Sequence, residues 1–313
     1  MTDRVGVGPP HGVADVHRDR RRGEGEILDR DRARCGVRDE RHSEHRDRKA
    51  SRGGPRDGRR AIHAHTIATV PLVSAGAPID VLAREAERIG VHLTRAALDR
   101  CARYSELLIE RNTVTNLTAI TDPFDIARKH FLDSLTALAA RSWSGRERVI
   151  DVGSGAGFPG LALRIALPAL RLTLVESQGK KARFLAEVRS ALDLNDVEIE
   201  SARAETFAVA RRDRYDVGTA RAVGSLGTVV EYLLPFLRLG GDAIAWKGRL
   251  DAELPGARKA CNAIGGEIVV VRTTSELGLG EVLPGRSLVV VRKVRPTPRR
   301  YPRSPAEMKR HPW

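Results

Sequence analysis

The chain has 313 residues, of which 41% are hydrophobic, so it is long enough to bury a substantial core in one large domain or two small ones. Its formal charge of +14 suggests a polyanionic partner, and the charge is uneven, because residues 1–66 hold 17 Lys or Arg against 12 Asp or Glu and residues 292–313 hold 8 against 1. Three isolated cysteines and the lack of a long apolar run exclude a disulfide scaffold, a paired-cysteine zinc site and a membrane span, so we expect a cytoplasmic protein with no metal. We expect a monomer, although the sequence does not determine the oligomeric state.

Residues 1–75 differ in composition from the rest of the chain. Residues 1–70 contain no Phe, Tyr or Trp and a single leucine, Leu28, which is too little apolar surface to offset the entropy of ordering. The composition predicts a disordered extension rich in Arg, Asp and Gly, and an assigned start that lies upstream of the true one stays open as a second explanation. Its six histidines show no regular spacing, so they predict no metal site.

Three helical patterns follow within residues 76–145. The first repeats apolar residues at intervals of three and four and stops at Gly90; its stripe is Ile79, Leu82, Ala86 and Ile89. The second starts at Thr94, with a stripe of Leu98, Cys101, Ser105 and Leu108. The third has Asp122 as its N-cap and Pro123 in its first turn, with a stripe of Phe124, Ala127, Phe131, Leu135 and Leu138. These patterns predict an N-terminal helical cap.

From Arg148 onward, short apolar runs alternate with helical patterns. The predicted strands lie near residues 148–152, 171–176, 196–200, 215–220, 241–246, 267–272 and 287–292. This alternation favours an α/β fold with a mainly parallel seven-stranded sheet, because parallel strands need crossover connections. We expect one domain over residues 76–295, followed by a basic, Pro-rich and poorly structured tail over residues 296–313.

A glycine-rich turn follows the first predicted strand, in the run from Val149 to Gly160. Glycines there let the backbone approach a ligand at the carboxyl edge of the sheet. The dinucleotide fingerprint requires glycine at its sixth position, which here is Phe158, whereas the third glycine is Gly157 at the fifth. The pattern looks like the S-adenosylmethionine loop of class I, Rossmann-like methyltransferases, in which Gly155 would line the cofactor.

Three further sites follow the later strands. Glu176 ends the second strand, where a carboxylate can accept hydrogen bonds from the ribose hydroxyls of an adenosine cofactor of either the nicotinamide or the methyl-donor type. Arg203, Ala204 and Glu205 follow the third strand, where such folds contact adenine, although an ordinary surface ion pair would also explain the two charges. Arg221 ends the fourth strand, and an anionic RNA substrate would explain a cation there.

Several ordered motifs together resemble the RsmG family, also called GidB. They span residues 80 to 305 approximately and comprise Asn116–Pro123, Arg128–Leu135, Gly157–Gly160, Gly179–Leu185, Arg203–Glu205, Arg221–Val223, Lys247–Gly248 and Tyr301–Arg303. The family usually has Asp-Ser-Leu at Glu176–Gln178, Ser-Arg-Ala at Ala220–Ala222 and Pro-Gly-Thr at Pro305–Glu307. The first two departures keep the carboxylate and the arginine, whereas the third bears on RNA contacts of the tail.

The resemblance implies a bacterial enzyme that uses S-adenosylmethionine to methylate N7 of one guanine in 16S ribosomal RNA, alone or in the small subunit. It implies cofactor contacts from Gly153, Phe158, Ala204, Glu205 and Arg221. The positioning candidates are Arg203, Arg221 and His130, and the RNA-binding candidates are Asn116, Lys247, Arg299, Arg300 and Arg303.

Guanine N7 carries a lone pair and no proton, so this reaction needs alignment and no general base. The sequence accordingly offers no nucleophile and base pair. The alternatives are a methyltransferase acting on another RNA or on a small molecule, a nicotinamide-dependent Rossmann enzyme, and a non-catalytic RNA-binding module.

Overall fold

The computed structural model describes residues 76–313, and the predictions for residues 1–75 lie outside the described residues. One sheet is built from seven strands: β1 (Arg148–Val152), β2 (Arg171–Val175), β3 (Val197–Glu200), β4 (Tyr215–Arg221), β5 (Leu237–Lys247), β6 (Gly266–Thr273) and β7 (Ser287–Lys293). Their order is β3-β2-β1-β4-β5-β7-β6. Among the strands of residues 76–313, β7 alone is reversed in direction, and it pairs antiparallel with both β5 and β6. This confirms the predicted α/β class with a mainly parallel seven-stranded sheet.

Helices cover both faces of this sheet. They are α1 (Pro78–Arg88), α2 (Arg95–Asn112), α3 (Pro123–Asp125), α4 (Asp133–Ala140), α5 (Gly160–Ala166), α6 (Gly179–Ala191), α7 (Ala204–Arg211), α8 (Leu226–Leu233), α9 (Leu254–Ile264) and α10 (Pro305–Arg310). Successive strand residues point to opposite faces, so Val149 of β1 packs into one core layer and Ile150 into the other. The first layer contains the N-terminal helices, and the second contains α8 and α9.

The fifth strand starts earlier than its apolar run predicts. The prediction began at residue 241, whereas β5 begins at Leu237 and pairs there with Tyr215 of β4. The three residues after Leu237 are exposed, and a register irregularity interrupts the pairing near Val217. Burial of the side chains therefore begins later than the backbone pairing, and a hydrophobic pattern detects only the buried part.

The buried stripe of α2 is rotated from the predicted one. Ala97, Cys101, Tyr104 and Leu108 are buried, whereas Leu98 and Ser105, which the prediction placed in the stripe, are only partly buried. Tyr104 sets this rotation, because its hydroxyl donates a hydrogen bond to the carbonyl of Ala156 in the glycine-rich turn. A tyrosine whose hydroxyl is hydrogen-bonded can be buried in the core. A stripe defined by aliphatic residues does not predict its burial.

A π-helical segment (Ile126–Leu132) connects α3 to α4. The prediction of one regular helix with Asp122 as its N-cap is right at the start, since Asp122 accepts a hydrogen bond from the backbone of Asp125. Phe124 is exposed, however, whereas Ala127 and Phe131 are buried. The wider π turn shifts the side-chain register, and such turns occur frequently at functional sites.

The C-terminal residues pack against the domain, which corrects the expectation of a poorly structured tail. Tyr301 and Met308 are buried, and α10 begins with a capping box formed by Ser304 and Glu307. Trp313 lies against α8 and α9, where side chains at Gly227 and Gly256 would collide with it. Composition alone predicted a tail because the partners of these residues lie on distant helices.

Candidate active site

The glycine-rich turn after β1 contains three glycines with left-handed backbone conformations, which favour glycine. Their φ angles are +70° at Gly153, +58° at Gly155 and +95° at Gly157. A Cβ on Gly157 would overlap the Tyr104 hydroxyl and lie 2.6 Å from the side chain of Leu161. A Cβ on Gly155 would meet nothing closer than 3.8 Å. Gly157 therefore serves packing, whereas Gly155 faces open space.

The carboxylate of Glu176 fixes this turn to the end of β2. Its Oε2 accepts a hydrogen bond from the backbone nitrogen of Gly155 at 2.8 Å, and its Oε1 accepts one from that of Gln178, also at 2.8 Å. Each carboxylate oxygen has a second lone pair, and Glu176 lines the cavity next to the turn. The side chain can hold the turn and still accept hydrogen bonds from a ligand.

Two adjacent cavities open at the carboxyl ends of the parallel strands. The larger, of about 480 Å³, is lined by Gly153, Gly155, Phe158, Glu176 and Arg221, among other residues. The smaller, of about 110 Å³, is lined by Arg203, Ala204 and Glu205. Gly153, Ser177 and Val223 line both. The structure thus brings all of the predicted cofactor-binding residues to one continuous edge of the sheet.

Arg221 crosses the larger cavity to the π-helical segment and α4. Its Nη1 donates to Oδ2 of Asp133 at 3.0 Å and to the carbonyl of Lys129 at 3.1 Å. Its Nη2 lies 3.2 Å from Nδ1 of His130. Asp133 is completely buried, and burial raises the pKa of its carboxyl group although the charges of Arg221 and Arg286 lower it. Arg221 therefore neutralises a buried carboxylate in addition to lining the cavity.

His130 is held in an aromatic stack. Its ring lies 4.7 Å from that of Phe158, which in turn lies 5.0 Å from the ring of Tyr104, centroid to centroid. Burial lowers the pKa of His130 to about 3, and the charges of Arg221 and Arg286 add to this effect. The imidazole is therefore neutral at neutral pH, and it positions neighbouring groups without carrying charge.

Asp151 has a structural role. It is completely buried, where its two carboxylate oxygens accept hydrogen bonds from the Thr219 hydroxyl at 2.7 Å and the backbone nitrogen of Gly160 at 3.2 Å. Burial raises its pKa to about 6 despite these bonds. Because Asp151 does not line either cavity, the shifted pKa reflects its place in the core.

The polar residues of the larger cavity that sequence reasoning missed include Thr118, Asp133, Lys181 and Arg286. Three of them lie within motifs that carried the family resemblance, and their position in those motifs could have identified them. Arg286 had none, because it precedes β7 in a segment with no recognisable pattern.

The predicted RNA-binding residues lie in different surroundings. Asn116 is exposed in the loop before α3, and Arg299 and Arg300 are exposed near the C-terminus. Two of the predicted side chains have partners inside the protein. Lys247 donates to Glu253 and to the carbonyl of Gly224, both at 2.8 Å. Arg303 is paired with completely buried Glu231 at 2.7 Å.

The described residues offer neither a membrane-spanning helix nor a metal site. No helix between residues 76 and 313 is both long and apolar enough to cross a membrane. In the same part of the chain, His, Cys, Asp and Glu side chains form no group of three or more that could hold a metal ion.

The sequence matches one family model, GidB, described as rRNA small subunit methyltransferase G, over residues 97–277. The ribosomal RNA small subunit methyltransferase G of Roseiflexus castenholzii is 46% identical over 233 residues, which are 72% of this chain and 96% of that protein. The protein of the same name from Alkaliphilus oremlandii is 38% identical over 236 residues, 74% of this chain and 98% of its own length. The chain therefore belongs to the rRNA small subunit methyltransferase G family, a family of enzymes.

Proposed function

We propose that this protein transfers a methyl group from S-adenosylmethionine to N7 of a guanine in 16S ribosomal RNA, alone or within the small subunit. The observation that carries the proposal is the placement of the Glu176 carboxylate beside the glycine turn, in a cavity that belongs to a member of this family.

The residues present fit the cofactor. Glu176 would accept hydrogen bonds from the ribose hydroxyls, and the open space over Gly155 would admit the nucleoside. The smaller cavity, with Ala204 and Glu205 in its wall, is apolar enough for the adenine and adjoins the larger one through Gly153. Bound there, S-adenosylmethionine supplies an electrophilic methyl group on a positively charged sulfur.

The protein's own residues contribute alignment. Guanine N7 attacks with its lone pair and loses no proton, so a general base is unnecessary. The two groups with the largest pKa shifts among candidate bases are unsuited to that role in any case. His130 is neutral with both ring nitrogens in hydrogen-bonding contact, and Asp151 lies in the core. Rate acceleration would come from holding the two reactants in line.

The substrate proposal rests on charge. Lys129, Lys181 and Arg221 line the larger cavity, and Lys180 and Arg183 are exposed on the same helix as Lys181, at the start of α6. Phosphate groups bind such cations with release of counterions. Asn116, Arg299 and Arg300 are the remaining proposed RNA contacts.

The test is to map N7-methylguanine in small-subunit RNA incubated with the protein, with and without S-adenosylmethionine. The Gly155→Val variant should lose activity, because its side chain occupies the open space of the turn. Gly278→Val is the matched control, since Gly278 also has a positive φ, of +75°, and free space around it, but it lies outside both cavities. Equal loss in both variants would contradict the assignment of the turn.

A further inference from the structure

Thr118 lies in the loop between α2 and α3, in the wall of the larger cavity. Asn112 holds this loop, since its side-chain Oδ1 accepts hydrogen bonds from the backbone nitrogens of Leu117 at 2.9 Å and Thr118 at 3.0 Å. Its Nδ2 donates to the carbonyl of Thr118 at 2.9 Å. The Asn112 side chain therefore holds the backbone of Thr118 by two hydrogen bonds and that of Leu117 by a third.

The direction of the hydrogen bonds around Thr118 follows from Arg221. A guanidinium group has donors only, so Nη2 of Arg221 donates to Nδ1 of His130 across 3.2 Å. A neutral imidazole whose Nδ1 accepts carries its proton on Nε2. Nε2 therefore donates to the hydroxyl oxygen of Thr118, at 2.9 Å.

The hydroxyl oxygen of Thr118 accepts a second hydrogen bond, from the backbone nitrogen of Ile120 at 3.0 Å. Both of its lone pairs are then used, and the hydroxyl hydrogen remains available as a donor. Among residues 76–313, this hydroxyl makes no further hydrogen bond. Since Thr118 lines the cavity, a bound ligand can accept this hydrogen bond in place of water.

Arg286 is a second donor in the same wall. It directly precedes β7 and is partly buried. Within the described part of the chain its guanidinium makes no hydrogen bond or ion pair, whereas Arg221 is paired with Asp133 and Lys129 with Asp125. The charge of Arg286 lowers the pKa of both His130 and Asp133, and Arg286 and Thr118 line the same cavity.

We propose that the Thr118 hydroxyl and the Arg286 guanidinium donate hydrogen bonds to O6 of the target guanine and so determine which purine is methylated. This inference rests on the proposed function. O6 lies next to N7 on the same edge of guanine, and adenine presents an amino donor at that place. With adenine bound, the Thr118 hydroxyl and the Arg286 guanidinium would both face the amino group, which is also a donor. A site whose partly buried donors need an acceptor strongly disfavours such a ligand.

The sheet order favours the base over the cofactor as the acceptor. The proposed ribose contact, Glu176, follows β2, whereas Arg286 precedes β7, which lies beyond β1, β4 and β5 from β2. The proposed adenine contacts lie farther still from Arg286, after β3. Arg286 is thus at the end of the cavity opposite to the proposed nucleoside site.

The test uses the full chain and RNA ligated from synthetic segments with guanine, inosine or 2-aminopurine at the mapped target. Inosine keeps O6 and lacks the 2-amino group. 2-Aminopurine keeps the 2-amino group and N7 but lacks O6. The unchanged protein should methylate inosine nearly as well as guanine and 2-aminopurine with kcat/KM about 10- to 100-fold lower. Thr118→Val should lower kcat/KM for guanine toward the 2-aminopurine value, and Thr118→Ser should behave as the unchanged protein.

Arg286 is tested separately, so that the proposal can still be tested if Thr118→Val fails to fold. Arg286→Met should lose most of the discrimination between guanine and 2-aminopurine, and Arg286→Gln, which keeps a neutral donor, should retain part of it. The salt dependence of RNA binding should stay unchanged in both, because O6 is not a phosphate. Arg238→Gln, at the opposite edge of the sheet, is the control for loss of one positive charge.

Each outcome decides a different point. Absence of N7-methylguanine with the unchanged protein would overturn the proposed function and this inference with it. Normal methylation, with undiminished discrimination in both Thr118→Val and Arg286→Met, would overturn the inference alone. Weakened S-adenosylmethionine binding in calorimetry, with unchanged base discrimination, would assign the two donors to the cofactor and also overturn it.

Discussion

The guanidinium of Arg221 and the carboxylate of Asp133 form an ion pair across 88 residues of sequence, with Nη1 at 3.0 Å from Oδ2. The pair joins the end of β4 to the start of α4. The Asp133 side chain is completely buried and that of Arg221 is 13% exposed. A buried charge without its partner is costly, so this contact couples the active-site wall to the stability of the domain.

Replacement of Arg221 by Met should lower the free energy of unfolding by about 3–5 kcal/mol at pH 8. Burial raises the pKa of Asp133 and Arg221 opposes that rise, so the variant should have a still higher Asp133 pKa. A carboxyl group with a raised folded-state pKa destabilises the fold increasingly as the pH rises from its unfolded to its folded pKa. The loss should therefore be smaller at pH 5 than at pH 8 in urea denaturation.

The control is Arg238→Met, whose ion pair with Asp216 is partly exposed, with side-chain exposures of 53% and 20%. We expect a loss of less than about 1 kcal/mol there. Similar losses in the two variants, or a loss at Arg221 that does not depend on pH, would contradict the assignment of Asp133 as a buried, partnered carboxylate.

His130 should not titrate between pH 5 and pH 8, because burial lowers its pKa to about 3. The group is protonated in the unfolded chain below about pH 6.5 but stays neutral in the folded one, so stability falls as the pH drops from about 6.5 toward 3. NMR of the imidazole and urea denaturation of His130→Gln test this. The variant should lose part of the acid sensitivity, and an imidazole signal that shifts near pH 6.5 in the folded protein would refute the prediction.

Glu176→Gln should weaken S-adenosylmethionine binding by about 10- to 100-fold, since hydrogen bonds to a charged group are among the stronger ones. Saturating cofactor should restore much of the rate. Glu200→Gln, at the carboxyl end of the neighbouring strand β3 and outside both cavities, should leave the affinity unchanged. Calorimetry on the three proteins measures the difference, and equal affinities would show that Glu176 only supports the turn.

The sheet was largely predictable from sequence because parallel strands are buried on both faces and appear as continuous apolar runs. The run from Val149 to Val152 illustrates this. The glycine turn and Glu176 were predictable as well, since both follow strands whose carboxyl ends meet at one edge. These features depend on short stretches of local sequence.

The remaining site residues depend on contacts between distant segments. Asp133 meets Arg221 across 88 residues, and Arg303 meets Glu231 across 72. No local pattern specifies which charges will pair. For the same reason the sequence could not distinguish exposed Arg299 from Arg303, and both were predicted to contact RNA.

The C-terminal arginines should separate into two functional groups. Arg303→Met leaves completely buried Glu231 without a cation, although Trp313 still donates to it at 2.6 Å, so the free energy of unfolding should fall by about 3–5 kcal/mol. Arg299→Gln and Arg300→Gln alter exposed side chains, so each should change stability by no more than about 0.5 kcal/mol.

The effects of these substitutions on RNA binding should rank in the opposite order to their effects on stability. Loss of Arg299 and Arg300 together should reduce the salt slope of RNA affinity by about two, one for each phosphate contact removed. Arg303→Met, measured at a temperature at which it stays folded, should keep the slope, because its guanidinium is already bound to Glu231. Urea denaturation and salt titrations of RNA affinity on the unchanged protein, the Arg299 and Arg300 double variant and Arg303→Met give both readouts. A reduced slope in Arg303→Met would mean that its ion pair opens when RNA binds, and an unchanged slope in the double variant would remove Arg299 and Arg300 from the RNA interface.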